Sequence, residues 1–186
     1  MKQSISPMKW LNHLFGGSEK NMAALTAGTK APDFSLSALD GSKFSLQQAL
    51  QQGPVVAAFF KVSCPVCQYA FPFFERLHKA YGNQKVTIVG ISQDSARDTA
   101  AFLKEYGITF RTLLDDPNGY AVSNAYGLTN VPTLFLIGQE GTIEVSSVGW
   151  VKQEVEEVSA KLASAQQAAP RPLFKAGDDV HDFRAG

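Results

Sequence analysis

The 186-residue chain is poor in cysteine, with two, in tryptophan, with two, and in methionine, with three. It also lacks any excess of charge, because 17 basic residues balance 17 acidic ones. Two cysteines cannot build the disulfide framework of a small secreted scaffold. Balanced charge leaves no electrostatic footprint for nucleic acid or an anionic membrane. No apolar run reaches the length of a membrane span, and stretches 55–60 and 134–137 are strand-sized. Near the start, Lys2 and Lys9 precede only Trp10, Leu11, Leu14 and Phe15, short of the apolar region and small-residue cleavage site of a secretory signal. The resulting expectation is a cytoplasmic protein. Residues 1–25 read as an N-terminal extension: a short amphipathic surface helix, or an upstream addition if translation begins at Met22.

What is present is an ordinary globular composition, 45% hydrophobic and 18% charged, in a chain long enough for one real core. Phe34, Leu36 and Leu39 lead to a turn at Asp40-Gly41, and Phe44 and Leu46 follow, so the domain opens on a β-hairpin. One or two helical turns over 46–52 end at Gly53-Pro54. The unbroken apolar run Val55-Val56-Ala57-Ala58-Phe59-Phe60 suits a strand buried on both faces. A helical pattern then carries Phe73, Phe74, Leu77 and Tyr81 to a stop at Gly82-Asn83. Further along, strands are expected over 86–91, 110–114, 133–137 and 142–148, and helices over 96–106, 119–126 and 151–163. The last carries one stripe of Val151, Val155, Val158 and Leu162. Strands alternate with helices before a hairpin and a final helix, which defines an α/β domain. From Ser164 the composition turns to Ala, Gln, Pro, Gly and charge, so 165–186 read as a flexible tail. Within it, Ala176-Gly177 with Asp182-Phe183 repeats the spacing of Ala27-Gly28 with Asp33-Phe34, either by chance or as a mimic of that segment on a neighbouring subunit.

The most informative feature is Cys64-Pro65-Val66-Cys67, set after a buried strand and a short loop and opening a helix. Thiol exchange needs an exposed thiolate and a second thiol near enough to resolve the mixed disulfide. A helix N-terminus offers unpaired N–H groups and positive dipole charge, both of which favour a thiolate. Cys64 falls at that end, and Pro65 suits the first helical position, where its missing N–H costs nothing. Cys67 returns to the same face one turn deeper. Cys64 is therefore assigned as attacking and Cys67 as resolving, with Lys61 and Ser63 as supporting neighbours. Cys-rich or His-rich ligand sets are absent around the pair: His13, His78 and His181 lie far off in sequence, so a zinc site needs a second chain. No metal and no cofactor is expected. His78 reads as a surface helix residue, and Phe71, Phe73 and Phe74 as core packing, with Phe71 the member placed to touch a partner.

Over about residues 26–163 the chain resembles the thioredoxin superfamily, in its TlpA-like and AhpC/TSA (redoxin) branch, and 26–164 are read as one thioredoxin-like domain. The resemblance rests on Ala31-Pro32-Asp33-Phe34-Ser35-Leu36, Asp40-Gly41, Phe59-Phe60, the Cys64 to Cys67 motif, Gly90-Ile91-Ser92, Leu114-Asp115-Asp116 and Val131-Pro132-Thr133. It implies a thioredoxin-like fold: a central mixed β-sheet flanked by helices, with an N-terminal β-hairpin and a central insertion. It further implies that Pro132 is cis, opposite the cysteine pair, and that substrate meets Val131, Pro132, Thr133, Pro65 and Val66. Pro72 matches the proline the superfamily carries inside its active-site helix, where a kink is expected. The activity implied is thiol–disulfide exchange on protein or small-molecule disulfides, with an external thiol reductant such as a thioredoxin system or glutathione.

The chain also departs from the pattern. Ala58 and Ala70 stand where relatives place acids that manage the buried thiol's proton, and Ser63 stands in place of a tryptophan. A peroxiredoxin-like thiol peroxidase, with Cys67 peroxidatic and Cys64 resolving, is the main alternative. It finds Phe60 and Cys64 at positions where that family needs Pro and Thr/Ser, and no arginine near Val131-Pro132. A non-catalytic binding module on the same fold, or a pair of inert buried thiols, are the remaining alternatives.

Overall fold

The computed structural model describes residues 23–83, 85–115 and 117–186. The readings placed on residues 1–22, the amphipathic helix, the Met22 start and His13 among them, lie outside the described residues.

The chain opens with the hairpin β1 (Ser35–Ala38) and β2 (Lys43–Ser45). Its turn uses Gly41 at φ +80°, and Asp40 Oδ1 accepts from the Ser42 N–H at 2.9 Å. Helix α1 (Leu46–Leu50) follows, capped by the Ser45 hydroxyl. Then come β3 (Val55–Phe60), α2 (Pro65–Tyr81), β4 (Thr87–Ser92), α3 (Ala96–Tyr106) and β5 (Arg111–Leu114). The chain continues through α4 (Ala121–Ala125), β6 (Thr133–Ile137), β7 (Ile143–Val148), β8 (Trp150–Val151) and α5 (Lys152–Ala165), and ends in β9 (Phe183–Arg184). Ser95 caps α3 while Gly107, at φ +65°, closes it.

Seven strands form one mixed sheet in the order β2-β1-β5-β4-β3-β6-β7. β3, β4 and β5 run parallel, and β6 lies antiparallel to β3. The central insertion between β4 and β6 supplies β5, which joins the hairpin to the sheet through β1. The run 55–60 is apolar throughout because β3 is covered on both faces. Val56, Ala58 and Phe60 enter a core with α2, α5 and Trp150, while Val55, Ala57 and Phe59 enter a second core with Leu46, Val122 and Tyr126.

The residues after α5 correct the expectation of a flexible tail. Leu173 is buried, Phe174 stands 5.5 Å from Phe73 between ring centres, and β9 pairs antiparallel with β8. An Ala/Gln/Pro/Gly composition carries little burial signal, and two aromatic and aliphatic anchors are enough to lay it along the domain. The internal spacing match does not reproduce packing: Phe34 is buried, whereas Phe183 is 62% exposed.

Candidate active site

β3 and β4 are parallel, so both end at the same edge of the sheet, and the loops leaving them meet there. The first is the loop from Lys61 to Cys64. Its backbone is fixed by the Cys64 N–H donating to the Lys61 carbonyl at 3.2 Å and by Gln68 Nε2 donating to the Val62 carbonyl at 3.0 Å. Cys64 is the N-cap of α2 and Pro65 its first residue.

Both cysteines are free thiols. Cys64 is half-buried; its Sγ accepts from the Cys67 N–H at 3.3 Å and donates to the Val131 carbonyl at 3.1 Å. Cys67 lies behind it, 0% exposed. Burial pushes the Cys67 thiol well above the ordinary cysteine range. The Lys61 backbone N–H works against this, while the Cys64 side chain and the Asp94 carboxylate add to it.

The Val131–Pro132 peptide bond is cis. Thr133 is buried and its hydroxyl donates to the Asn130 carbonyl at 2.8 Å, which fixes the loop around that proline. Among the sequence-assigned residues, Cys64, Cys67 and Val131 therefore converge. Pro65 and Ser63 are exposed at the rim and Val66 is half-buried.

Three further residues read from the sequence have definite places in the structure. The Lys61 ammonium stacks over the Tyr120 ring, 5.4 Å from its centre, so this residue supports the buried thiol through its backbone N–H and not through its charge. Phe71 is fully buried among Phe60, Phe74, Phe102 and Phe110, so it cannot touch a partner. His78 is only half-exposed: its ring packs against Phe110 and its Nδ1 is buried with no hydrogen-bond partner among the described residues.

Two acids escaped the sequence reading. Asp94 follows β4, and its Oδ2 accepts from the Val62 N–H at 2.8 Å, tying the two loops together beneath the cysteine pair. Its signal was an acid just past a buried strand, at the edge where the motif loop also ends. Glu75 is buried in α2 and accepts from Thr109 N–H and Oγ1 at 2.8 and 2.5 Å, anchoring the approach to β5. Nothing in the sequence separates it from the exposed acids of an amphipathic helix.

A half-exposed thiol at a helix N-terminus, a buried thiol one turn behind and a cis-proline loop opposite, all on this sheet, define the thioredoxin-like class. The AhpC/TSA family profile matches residues 27–146, and the chain belongs to that family, the redoxin branch of the thioredoxin superfamily; it is an oxidoreductase. It is 31% identical over 150 residues to the thioredoxin-like protein YneN of Bacillus subtilis, covering 78% of this chain and 85% of that one. It is 33% identical over 133 residues to the thiol-disulfide oxidoreductase ResA of Halalkalibacterium halodurans, covering 70% of this chain and 74% of that protein. Among solved structures, a putative thiol:disulfide interchange protein DsbE from Chlorobium tepidum superposes with a TM-score of 0.67 at 26% identity, over 76% of this chain and 99% of that one.

Proposed function

We propose that the chain exchanges disulfides through its Cys64–Cys67 dithiol, with Cys64 attacking and Cys67 resolving. The observation that carries this reading is the unequal setting of two thiols joined by one hydrogen bond. Cys64 Sγ is half-exposed and receives the Cys67 N–H, whereas Cys67 is sealed from solvent and held protonated by burial.

In the first step the Cys64 thiolate forms a bond to one sulfur of the partner disulfide, and the other partner sulfur leaves as a thiolate. Losing its proton also ends the Cys64 bond to the Val131 carbonyl, which frees that acceptor for a partner backbone N–H. In the second step Cys67 gives up its proton and attacks Cys64 Sγ, and the second partner thiol departs. The chain is left as the Cys64–Cys67 disulfide, and an external thiol, of the thioredoxin or glutathione kind, returns it to the dithiol. Reduction of the partner is the direction this reading takes, on the expectation of a reducing, cytoplasmic compartment; fractionation of the native protein tests that placement. Substrates of protein or small-molecule size both fit the exposure of Cys64.

The peroxidase alternative needs Cys67 as the first nucleophile, and its full burial and raised pKa argue against that role. The test is iodoacetamide labelling of the reduced chain, followed by trapping with Cys67→Ser. Selective labelling of Cys64, and a mixed disulfide that persists in Cys67→Ser, are the expected results. Selective labelling of Cys67 would overturn the assignment in favour of a peroxidase, and labelling of neither would leave an inert pair.

A further inference from the structure

After α5 the chain turns back across α2 and returns to the sheet beside the cysteine pair. Arg76 of α2 grips Asp178 with both guanidinium nitrogens. The Tyr69 hydroxyl donates to the Asp179 carbonyl at 3.1 Å and accepts from the His181 N–H at 2.9 Å. The Trp150 indole N–H donates to the His181 carbonyl at 2.6 Å. β9 then adds to the edge of β8, with Trp150 opposite Arg184 and Val151 opposite Phe183, while the Arg184 guanidinium lies 4.5 Å from the centre of the Tyr69 ring.

The end of this segment reaches the active-site loop. Asn130 Nδ2 donates to the Gly186 carbonyl at 2.9 Å. A Cβ on Gly186 would stand 2.6 Å from the Val131 carbonyl oxygen, and a Cβ on Gly149 would stand 2.6 Å from the Arg184 oxygen and 3.0 Å from the Gly186 nitrogen. The approach exists because both positions lack a side chain, and Gly149 holds φ +77° besides. The Val131 carbonyl is the one that accepts the Cys64 thiol, so the tail and the nucleophile press on the same group.

We propose that residues 183–186 are an intramolecular occupant of the groove beside Val131, and that an extended polypeptide bearing a substrate disulfide must displace them to reach Cys64. This rests on the disulfide-exchange reading above. The groove recognises main chain: β8 offers a strand edge, and strand addition is open to any extended segment. The occupant is held lightly. Every residue from 181 to 186 is exposed, Phe183 at 62%, and its ladder to β8 is two residues long. The firmer anchors, Leu173, Phe174 and the Arg76–Asp178 pair, lie upstream, so the end lifts while the rest stays docked. Tethering gives it a high local concentration against any competitor. A small disulfide needs no groove, and Val131 also borders a hollow of about 210 Å3 lined by Lys61, Gln93, Leu128, Thr129 and Asn130, in which no tail residue takes part.

The test compares the full chain with one ended after Asp182, and with full-length Gly186→Val, which keeps every buried residue but sets a Cβ against Val131. Each is assayed on insulin and on 2-hydroxyethyl disulfide, and a synthetic peptide of residues 179–186, which holds no cysteine, is titrated calorimetrically. In both variants insulin reduction is expected to rise about fivefold and hydroxyethyl disulfide reduction to stay within about twofold, and the peptide is expected to bind the shortened chain about tenfold more tightly than the full one. A peptide that binds neither chain, or equal changes on both substrates, overturns the role of the tail and leaves the exchange reading standing. Peptide binding with no reduction of either disulfide by any chain overturns the exchange reading itself, and with it the tail's part in substrate access.

Discussion

The Cys64 thiol donates to the carbonyl of Val131, 67 residues further along the chain, at 3.1 Å. That one bond joins the N-terminus of α2 to the loop before β6, and the two elements meet because β6 lies beside β3, whose C-terminal end feeds the motif. It sets the half-exposed thiol against the backbone beside the cis-proline. The two cysteines thereby differ in access, in hydrogen bonding and in charge environment although only two residues separate them.

Burial of Cys67 makes stability depend on pH in the reduced protein. The folded pKa is raised above the unfolded value of about 8.5, so as pH rises past that value the unfolded chain sheds a proton that the folded chain keeps. Stability is therefore full below about pH 8.5 and falls above it, by up to about 1.4 kcal/mol per pH unit within the window. Tyr126, raised by burial, adds a second loss above about pH 10. Urea midpoints of the reduced chain between pH 7 and 10 check the slope, and Cys67→Ala is expected to remove its first part.

Asp94→Asn keeps an oxygen to accept the Val62 N–H but removes a negative charge that, after burial, adds to the rise of the Cys67 thiol. The Cys67 thiol is expected to titrate lower in this variant, with the fold intact. Alkylation of Cys67 against pH, in a Cys64→Ser background, reads the shift; an unchanged profile would show that the Asp94 charge does not reach the sulfur.

Phe71→Ala is expected to cost about 3–5 kcal/mol of stability, because the ring fills a fully buried site among four other aromatic rings. Denaturant unfolding measures this. A stable variant with a selective loss of partner reduction would overturn the core-packing role of Phe71.

The Arg76–Asp178 pair ties the tail to α2, and the guanidinium holds the Asp178 carboxyl down to about 2. A carboxyl with a depressed folded pKa contributes fully above its unfolded value of about 3.9 and loses that contribution as pH falls toward the folded one. The tail anchor is thus expected to be indifferent to pH from 5 to 9 and to weaken below about pH 4. Hydrogen exchange across residues 173–182, compared between the native chain and Asp178→Asn at each pH, checks this. The variant should raise exchange there between about pH 5 and 9 and lose that effect as the wild-type carboxyl protonates.

The strand at 55–60, the helix over 96–106 and the turn at Asp40-Gly41 were legible because each depends on local chemistry: a doubly buried apolar run, a glycine that closes the helix, and positive φ at the turn glycine. The placement of the cysteine pair was legible for the same reason, since a Cys-Pro-x-Cys at a helix start sets one thiol at the N-cap and the other one turn inward. Asp94, Glu75 and the tail were not, because their roles come from what lies across the fold from them. An acid after a strand gains a role only when a neighbouring loop presents an N–H, and a low-hydrophobicity tail docks only when Trp150, Tyr69 and Arg76 line up to receive it.

By itself, then, the sequence determined the succession of elements and the placement of Cys64 and Cys67 at the start of α2, both of which follow from residues within one or two turns of each other. Tertiary structure alone decided which carbonyl accepts from Cys64, which acid's charge is felt at Cys67 and which residues lie against Asn130 and Val131. Those relationships span from 27 to more than 60 residues of chain, and they arise only because β3 packs parallel to β4, β6 returns beside β3, and β9 pairs with β8.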